Sequence, residues 1–188
     1  MRALTEPEFR TVLEKLAIYT HSSLKEIVGA LENSTSGPDR YVFRLSNNRV
    51  YHVPLSIANL ATSIPRAQLL SCGICLGRFT KTNKFRLHIT ALPVIAPHAQ
   101  HKLYLRSNGI IPFLYGGKVV AAHVGRWSQD CLEHSGVVVF DADDKPLGFG
   151  IAAKGGAASR RAAPTDIVCF RQADCGEYLR EEDTLFTA

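Results

Sequence analysis

Residues 136–154 read GVVVFDADDKPLGFGIAAK. Gly136 to Phe140 and Pro146 to Ala153 are apolar runs dense in strand formers. Asp141, Asp143 and Asp144 lie between them, where short acidic side chains bond the backbone of a tight turn. The stretch predicts an antiparallel hairpin. Its second strand also satisfies the loose G-x-G-x-x-A pattern of dinucleotide loops. Those glycines sit inside a strand, however, and are followed by KGGAASRRAAP rather than by an amphipathic helix. Within a strand, Gly148 and Gly150 signal close backbone approach or barrel curvature.

The hairpin has neighbours of the same kind. Lys102 to Leu105, Lys118 to Val124 and Asp166 to Gln172 read as strands, and Ile110 to Tyr115 as a helical turn before Gly116-Gly117. Short strands at roughly 8–12-residue spacing predict a small β-barrel or sandwich. No strand–helix alternation is present, so a doubly wound parallel sheet is not expected.

The first half reads differently. Thr5 and Glu8 have capping-box spacing, and Phe9, Val12, Leu13, Leu16 and Ala17 form one apolar helical face up to Tyr19. A second helix is expected over Ser23 to Leu31, then a loop over Glu32 to Asp39. Tyr41 to Leu45 and Val50 to Pro54 suit a hairpin, and Ser56 to Ser63 a short helix stopped by Pro65. Leu76 to Phe79 and Phe85 to Leu92 suit a second hairpin. In that hairpin Phe85, Leu87, Ile89 and Ala91 alternate against Arg86, His88 and Thr90. Pro93 and Pro97 break the pattern and mark a boundary. The fold class is therefore α+β: an N-terminal α/β unit with an antiparallel sheet over 1–95, a barrel over 96–180, and a tail over 181–188.

Charge is unevenly placed. The net charge is +5, yet from Arg40 to Gln129 there is no Asp or Glu, against 12 Lys and Arg. Such a window repels itself unless a polyanion neutralises it, which points to nucleic acid or an acidic partner. GRFTKTNKFRLH (77–88) puts Arg78, Lys81, Lys84 and Arg86 around one turn. Lys154, Arg160 and Arg161 form a second cluster in a small-residue loop. Gly116-Gly117-Lys118 and Gly125-Arg126-Trp127 form a third combination of glycine, cation and aromatic. Phe79 and Phe85 read as core rather than as base-stacking platforms.

Catalytic and metal signals are weak. Cys72-Gly-Ile-Cys75 lacks the second ligand pair a structural zinc needs, and five cysteines without framework spacing suit a reduced, intracellular protein. Neither a nucleophile elbow, a zinc-protease motif nor a phosphate-binding loop is present. No cofactor and no metal are expected. No apolar run reaches the ~20 residues of a membrane span and the N-terminus is no secretory signal, so no membrane association is expected.

Several segments together resemble one known family. They are MRALTEPE (1–8), GRFTKTNKFRLHITAL (77–92), FLYGG (113–117), GVVVF (136–140), PLGFGIAAK (146–154) and FRQADCGEYLREEDTL (170–185). In order and over nearly the whole chain they are similar to the ribosome-biogenesis factors of the nuclear import protein seven family. The resemblance implies a pre-PUA domain followed by a PUA pseudo-barrel that grips structured RNA. It implies RNA contacts from Lys118, Arg126, Lys154, Arg160, Arg161 and Arg171. It also implies a non-enzymatic role in large (60S) subunit assembly in the nucleus and nucleolus, with some presence in the cytoplasm. The partners it implies are pre-rRNA, pre-60S assembly factors and exosome components, with the protein itself a monomer. Two alternatives stand beside it: a protein-interaction adaptor that touches RNA incidentally, and an RNA-modifying enzyme.

Overall fold

Glu8 closes the start of the first helix as its spacing predicts. Its carboxylate accepts the Thr5 backbone N–H at 2.8 Å and a two-pronged contact from Arg2 at 2.6 and 2.8 Å. The computed structural model describes residues 1–29, 40–65 and 68–186. The expected loop over Glu32 to Asp39 and the end of the expected second helix lie outside these residues.

The first half comprises β1 (Arg2–Ala3), α1 (Glu6–Thr20), α2 (Leu24–Gly29), β2 (Tyr41–Ser46), β3 (Arg49–Pro54), α3 (Leu55–Leu60), β4 (Ile74–Phe79), β5 (Phe85–Leu87) and α4 (Leu92–Ile95). Its strands form an antiparallel sheet in the order β1-β2-β3-β4-β5. Asn47 and Asn48, with φ of 48° and 60°, make the two-residue turn between β2 and β3, a conformation Asn tolerates. Asn83, with φ of 55°, serves the second hairpin. The strand expected to reach Leu92 stops at Leu87. Its alternation persists in burial, because a 3-10 turn at Ile89–Ala91 still sends Ile89 and Ala91 inward. Pro93 then falls in the first turn of α4, where its missing N–H costs nothing. The proline-broken stretch is thus a short helix with Ile95 fully buried.

The second half comprises β6 (Lys102–Leu105), α5 (Ser107–Leu114), β7 (Val119–Val120), β8 (Val124–Trp127), β9 (Gly136–Phe140), β10 (Pro146–Ala152), α6 (Gly156–Ser159), β11 (Ile167–Asp174), α7 (Glu177–Arg180) and α8 (Glu182–Phe186). Its sheet runs β7-β11-β10-β9-β6-β8, antiparallel except for the pair β6–β9. The single strand expected over Lys118 to Val124 is two, split by a 3-10 turn at Ala121–His123. The split lets β7 pair with β11 and β8 with β6, at opposite ends of a sheet that nearly closes into a barrel. The small-residue loop after β10 carries the short helix α6. The segment expected as a tail is helical in α8 and buries Leu185.

The hairpin at 136–154 is built as its sequence indicates. Asp141 Oδ1 accepts the N–H groups of Asp143 and Lys145 at 2.9 and 2.8 Å, and Asp144 takes φ of 61°. A Cβ on Gly148 or Gly150 would lie 2.3 Å from the carbonyl oxygen of Ala173 or Phe170 on β11. The ladder slips between Phe149 and Gly150. Close approach, not phosphate binding, explains the glycines. β9 is buried on both faces, which is why GVVVF is continuous rather than alternating. Val137 and Val139 face the barrel interior with Leu103, Leu105, Phe113 and Cys169. Val138 and Phe140 join a core with Val12 and Leu16 of α1 and with Leu45, Val50, Leu76 and Phe85. That core joins the two halves.

Candidate nucleic-acid interface

β3, β4 and β5 lie side by side, and register puts Arg49 opposite Arg78 and Arg78 opposite Arg86. Three arginines thus cross the sheet in one row. Like charges at directly opposed positions destabilise a sheet, and the exposed Arg78 and Arg86 face each other in this way. Arg49 is buried and donates to the Leu185 carbonyl at 2.5 Å. Arg78 and Arg86 are exposed, as are Lys81 and Lys84 at the turn. Among the described residues none of these four exposed cations forms an ion pair. Phe79 and Phe85 pack on each other, with ring centroids 5.2 Å apart and Phe85 buried, so they serve the core as expected.

A groove of about 540 Å³ runs along this hairpin between the two halves. Lys15, Arg78, Lys84, Arg86 and His88 line it from the first half. Arg171, Glu177 and Glu181 line it from the second. His88 adds no charge near neutral pH. Burial first, then the neighbouring Arg49 and Arg78, pull its pKa down to about 4.

The cations of the second half are placed differently. Arg171 donates to Asp174 and Glu177, each at 2.6 Å. Asp174 is fully buried and also accepts from Arg180, which reaches the Leu114 carbonyl as well. Gly116, with φ of 90°, passes close to the Arg171 guanidinium. A Cβ there would sit 3.7 Å from it. Lys154 bonds Asp166 at 2.5 Å and so closes the base of its loop, holding the Asp166 carboxyl below its ordinary range. Arg160 bonds Asp130 at 2.7 Å. Lys118 stands near the Phe170 ring, 5.7 Å from its centroid, and Arg126 over Tyr104 at 3.9 Å. Arg161 is exposed and forms no ion pair among the described residues.

The residues singled out from the sequence therefore fall into groups. Arg78, Lys84, Arg86 and Arg171 share the groove. Arg126 and Arg160 line a second pocket. Lys81, Lys118, Lys154 and Arg161 line neither. Sequence reading passed over Arg49, Lys15 and Arg106. The strand register Arg49–Arg78–Arg86 was the available signal for the first. Among the described residues no group of three or more His, Cys, Asp or Glu stands together to hold a metal ion, and no helix is long and apolar enough to cross a membrane.

An antiparallel sheet with helices, followed by a nearly closed six-stranded pseudo-barrel, is the architecture of a pre-PUA plus PUA protein. Two archaeal structures share it. One is a PUA domain from Aeropyrum pernix (TM-score 0.57, 16% identity, 96% of this chain and 89% of that one). The other is a conserved PUA domain protein from Thermoplasma acidophilum (TM-score 0.57, 8% identity, 96% and 97%). The family description "NIP7/UPF0113, pre-PUA domain" matches residues 1–89, and "UPF0113 PUA domain" matches residues 101–183. The chain is 55% identical to the 60S ribosome subunit biogenesis protein NIP7 of Saccharomyces cerevisiae over all of both chains. It is 50% identical to that of Schizosaccharomyces pombe (99% of this chain, 100% of the relative) and 45% to the Xenopus laevis homolog (98% and 99%). The chain belongs to the NIP7/UPF0113 family. These relatives are named for ribosome biogenesis and the family is not one of enzymes, in line with the non-enzymatic expectation.

Proposed function

We propose that this protein is a non-catalytic RNA-binding factor in assembly of the large ribosomal subunit, acting on pre-rRNA in the nucleus and nucleolus. The relatives' names support the process, and a PUA half supports RNA as the ligand. The observation that carries the site is the exposed, directly opposed pair Arg78 and Arg86 beside Lys81 and Lys84. Phosphate oxygens accept several charge-assisted hydrogen bonds and relieve the repulsion within the pair. Lys154, Arg160 and Arg171 contribute less, because each already holds a carboxylate. Lys118, Arg126 and Arg161 extend the surface on the barrel.

Docking of other pre-60S factors, with exosome components among them, is the second part of this reading. Leu60 on α3 and Leu70 are 73% and 80% exposed and offer apolar contacts to such a partner. The adaptor alternative places all function there. A mobility-shift titration with a structured fragment of large-subunit pre-rRNA separates the two. With ~5 phosphates neutralised, log K falls against log salt with a slope near −4 to −5. No shift at moderate salt favours the adaptor.

A further inference from the structure

The two short helices α7 and α8 carry Glu177, Glu181, Glu182 and Asp183 against Arg180 alone. The fold brings this acidic segment onto the acid-free part of the chain. Glu177, Glu181 and Leu185 line the groove of about 540 Å³ that also holds Lys15, Arg78, Lys84 and Arg86. Leu185 lines a second cavity too, of about 680 Å³, with Arg49, Tyr51, Ile74 and Pro93. α8 is therefore a partition with a cavity on either side.

Little holds the partition in place. A helix of five residues is not stable by itself, so packing has to hold it. Leu185 is buried, whereas Glu181, Glu182 and Asp183 are exposed. The Leu185 carbonyl accepts the Arg49 guanidinium at 2.5 Å. The segment that brings acids to the groove thus also covers the arginine that register sets beside Arg78. Arg78, Lys84 and Arg86 form no ion pair among the described residues, with these acids or any others. Carboxylates that share a groove with cations without pairing to them lower its potential and leave the cations open to a denser anion.

We propose that α8 is an acidic strap that covers this groove in the free protein, and that an entering polyanion displaces it and uncovers Arg49 beside Arg78 and Arg86. The proposal rests on the RNA reading above, and it makes the strap's carboxylates competitors of the RNA phosphates. Only the open form binds, so a strap closed about nine-tenths of the time weakens apparent affinity about tenfold.

The test is a mobility-shift titration of the full chain with a structured fragment of large-subunit pre-rRNA. E181Q/E182Q/D183N is expected to bind about tenfold more tightly than wild type. E133Q/D143N/D144N makes the same change in net charge at exposed barrel positions that line neither cavity, and is expected to gain about twofold or less. L185A removes the anchor and leaves every charge in place, and is expected to gain about fivefold or more. Thermal melts check that each variant folds; if L185A does not, the two charge variants, both at exposed positions, decide the matter. The strap is overturned if E181Q/E182Q/D183N gains no more than E133Q/D143N/D144N, or if folded L185A binds like wild type. If neither wild type nor any variant shifts RNA, the RNA reading fails and the strap falls with it.

Discussion

The Arg171 guanidinium lies 2.6 Å from the carboxylate of Asp174, and Asp174 is completely buried at the end of β11. Arg180 meets the same carboxylate at 2.9 Å, and the Gly176 N–H donates to it at 2.8 Å. One buried anion thus ties β11, α7 and, through Arg180, the end of α5 together. Removing its charge would leave Arg171 with Glu177 alone and Arg180 with only the Leu114 carbonyl. D174N is expected to cost about 3–5 kcal/mol, read as a lower midpoint in urea unfolding. A variant within about 1 kcal/mol of wild type would show that the network does not hold the barrel's end together.

Arg78 and Arg86 face each other across β4 and β5, so binding and stability should move in opposite directions there. R86T is expected to gain about 0.2–1 kcal/mol by relieving repulsion and adding a strand former, while weakening RNA binding. Paired urea unfolding and mobility-shift measurements check both signs. K81Q/K84Q/R86Q should reduce the steepness of log K against log salt by about 3. K154Q/R160Q/R161Q should reduce it less, since two of its three charges are already paired. Equal reductions in the two triple variants would remove the distinction drawn between paired and unpaired cations.

This distinction marks where sequence reading reaches its limit. Most strand positions, both hairpin turns and the inward face of α1 follow from local period and turn chemistry, whereas the strand expected to Leu92 stops at Leu87 and the one over Lys118 to Val124 is split. Ion pairing is not local. Arg160 meets Asp130 thirty residues away, and Arg171 looks from sequence like a free cation on a last strand. The acid-free window from Arg40 to Gln129 contains Arg49, Arg78 and Arg86, but only the strand register sets them side by side. The window also spans both sheets, so charge alone could not separate the groove from the barrel surface. The split of Lys118 to Val124 was hidden for a related reason. A corner that sends β7 and β8 to opposite ends of the sheet is set by barrel closure, not by propensity.

Gly150 tests the close-approach account of the G-x-G pattern. The carbonyl of Phe170 and the Cys169 sulfur occupy the space a side chain would need, at 2.3 and 2.7 Å from the Cβ position. Both belong to β11, so relief requires the ladder itself to move. G150A is expected to lose several kcal/mol, in the range of about 1–3 for overpacking and beyond. Calorimetric Tm is the readout. A Tm within a few degrees of wild type would show that the ladder slip at Phe149/Gly150 has room to spare.

His52 sets a pH dependence that has nothing to do with RNA. Its ring stacks on Tyr41, with centroids 4.5 Å apart and planes 6° from parallel, and neither ring nitrogen has a hydrogen-bond partner among the described residues. Burial lowers its pKa from 6.5 to about 4. Between those values the unfolded chain binds a proton at His52 and the folded chain does not. Unfolding free energy therefore rises with pH across this window: the contribution is fully present above pH 6.5 and falls away as pH drops towards 4. The ceiling from this one group is about 3 kcal/mol. His88 shifts the same way and adds to the slope. H52F keeps the stack and removes the titration, so its stability should vary less between pH 7 and pH 4.5 than that of wild type. Urea unfolding at a series of pH values makes the comparison, and parallel profiles for the two proteins would show that His52 is already solvated in the fold.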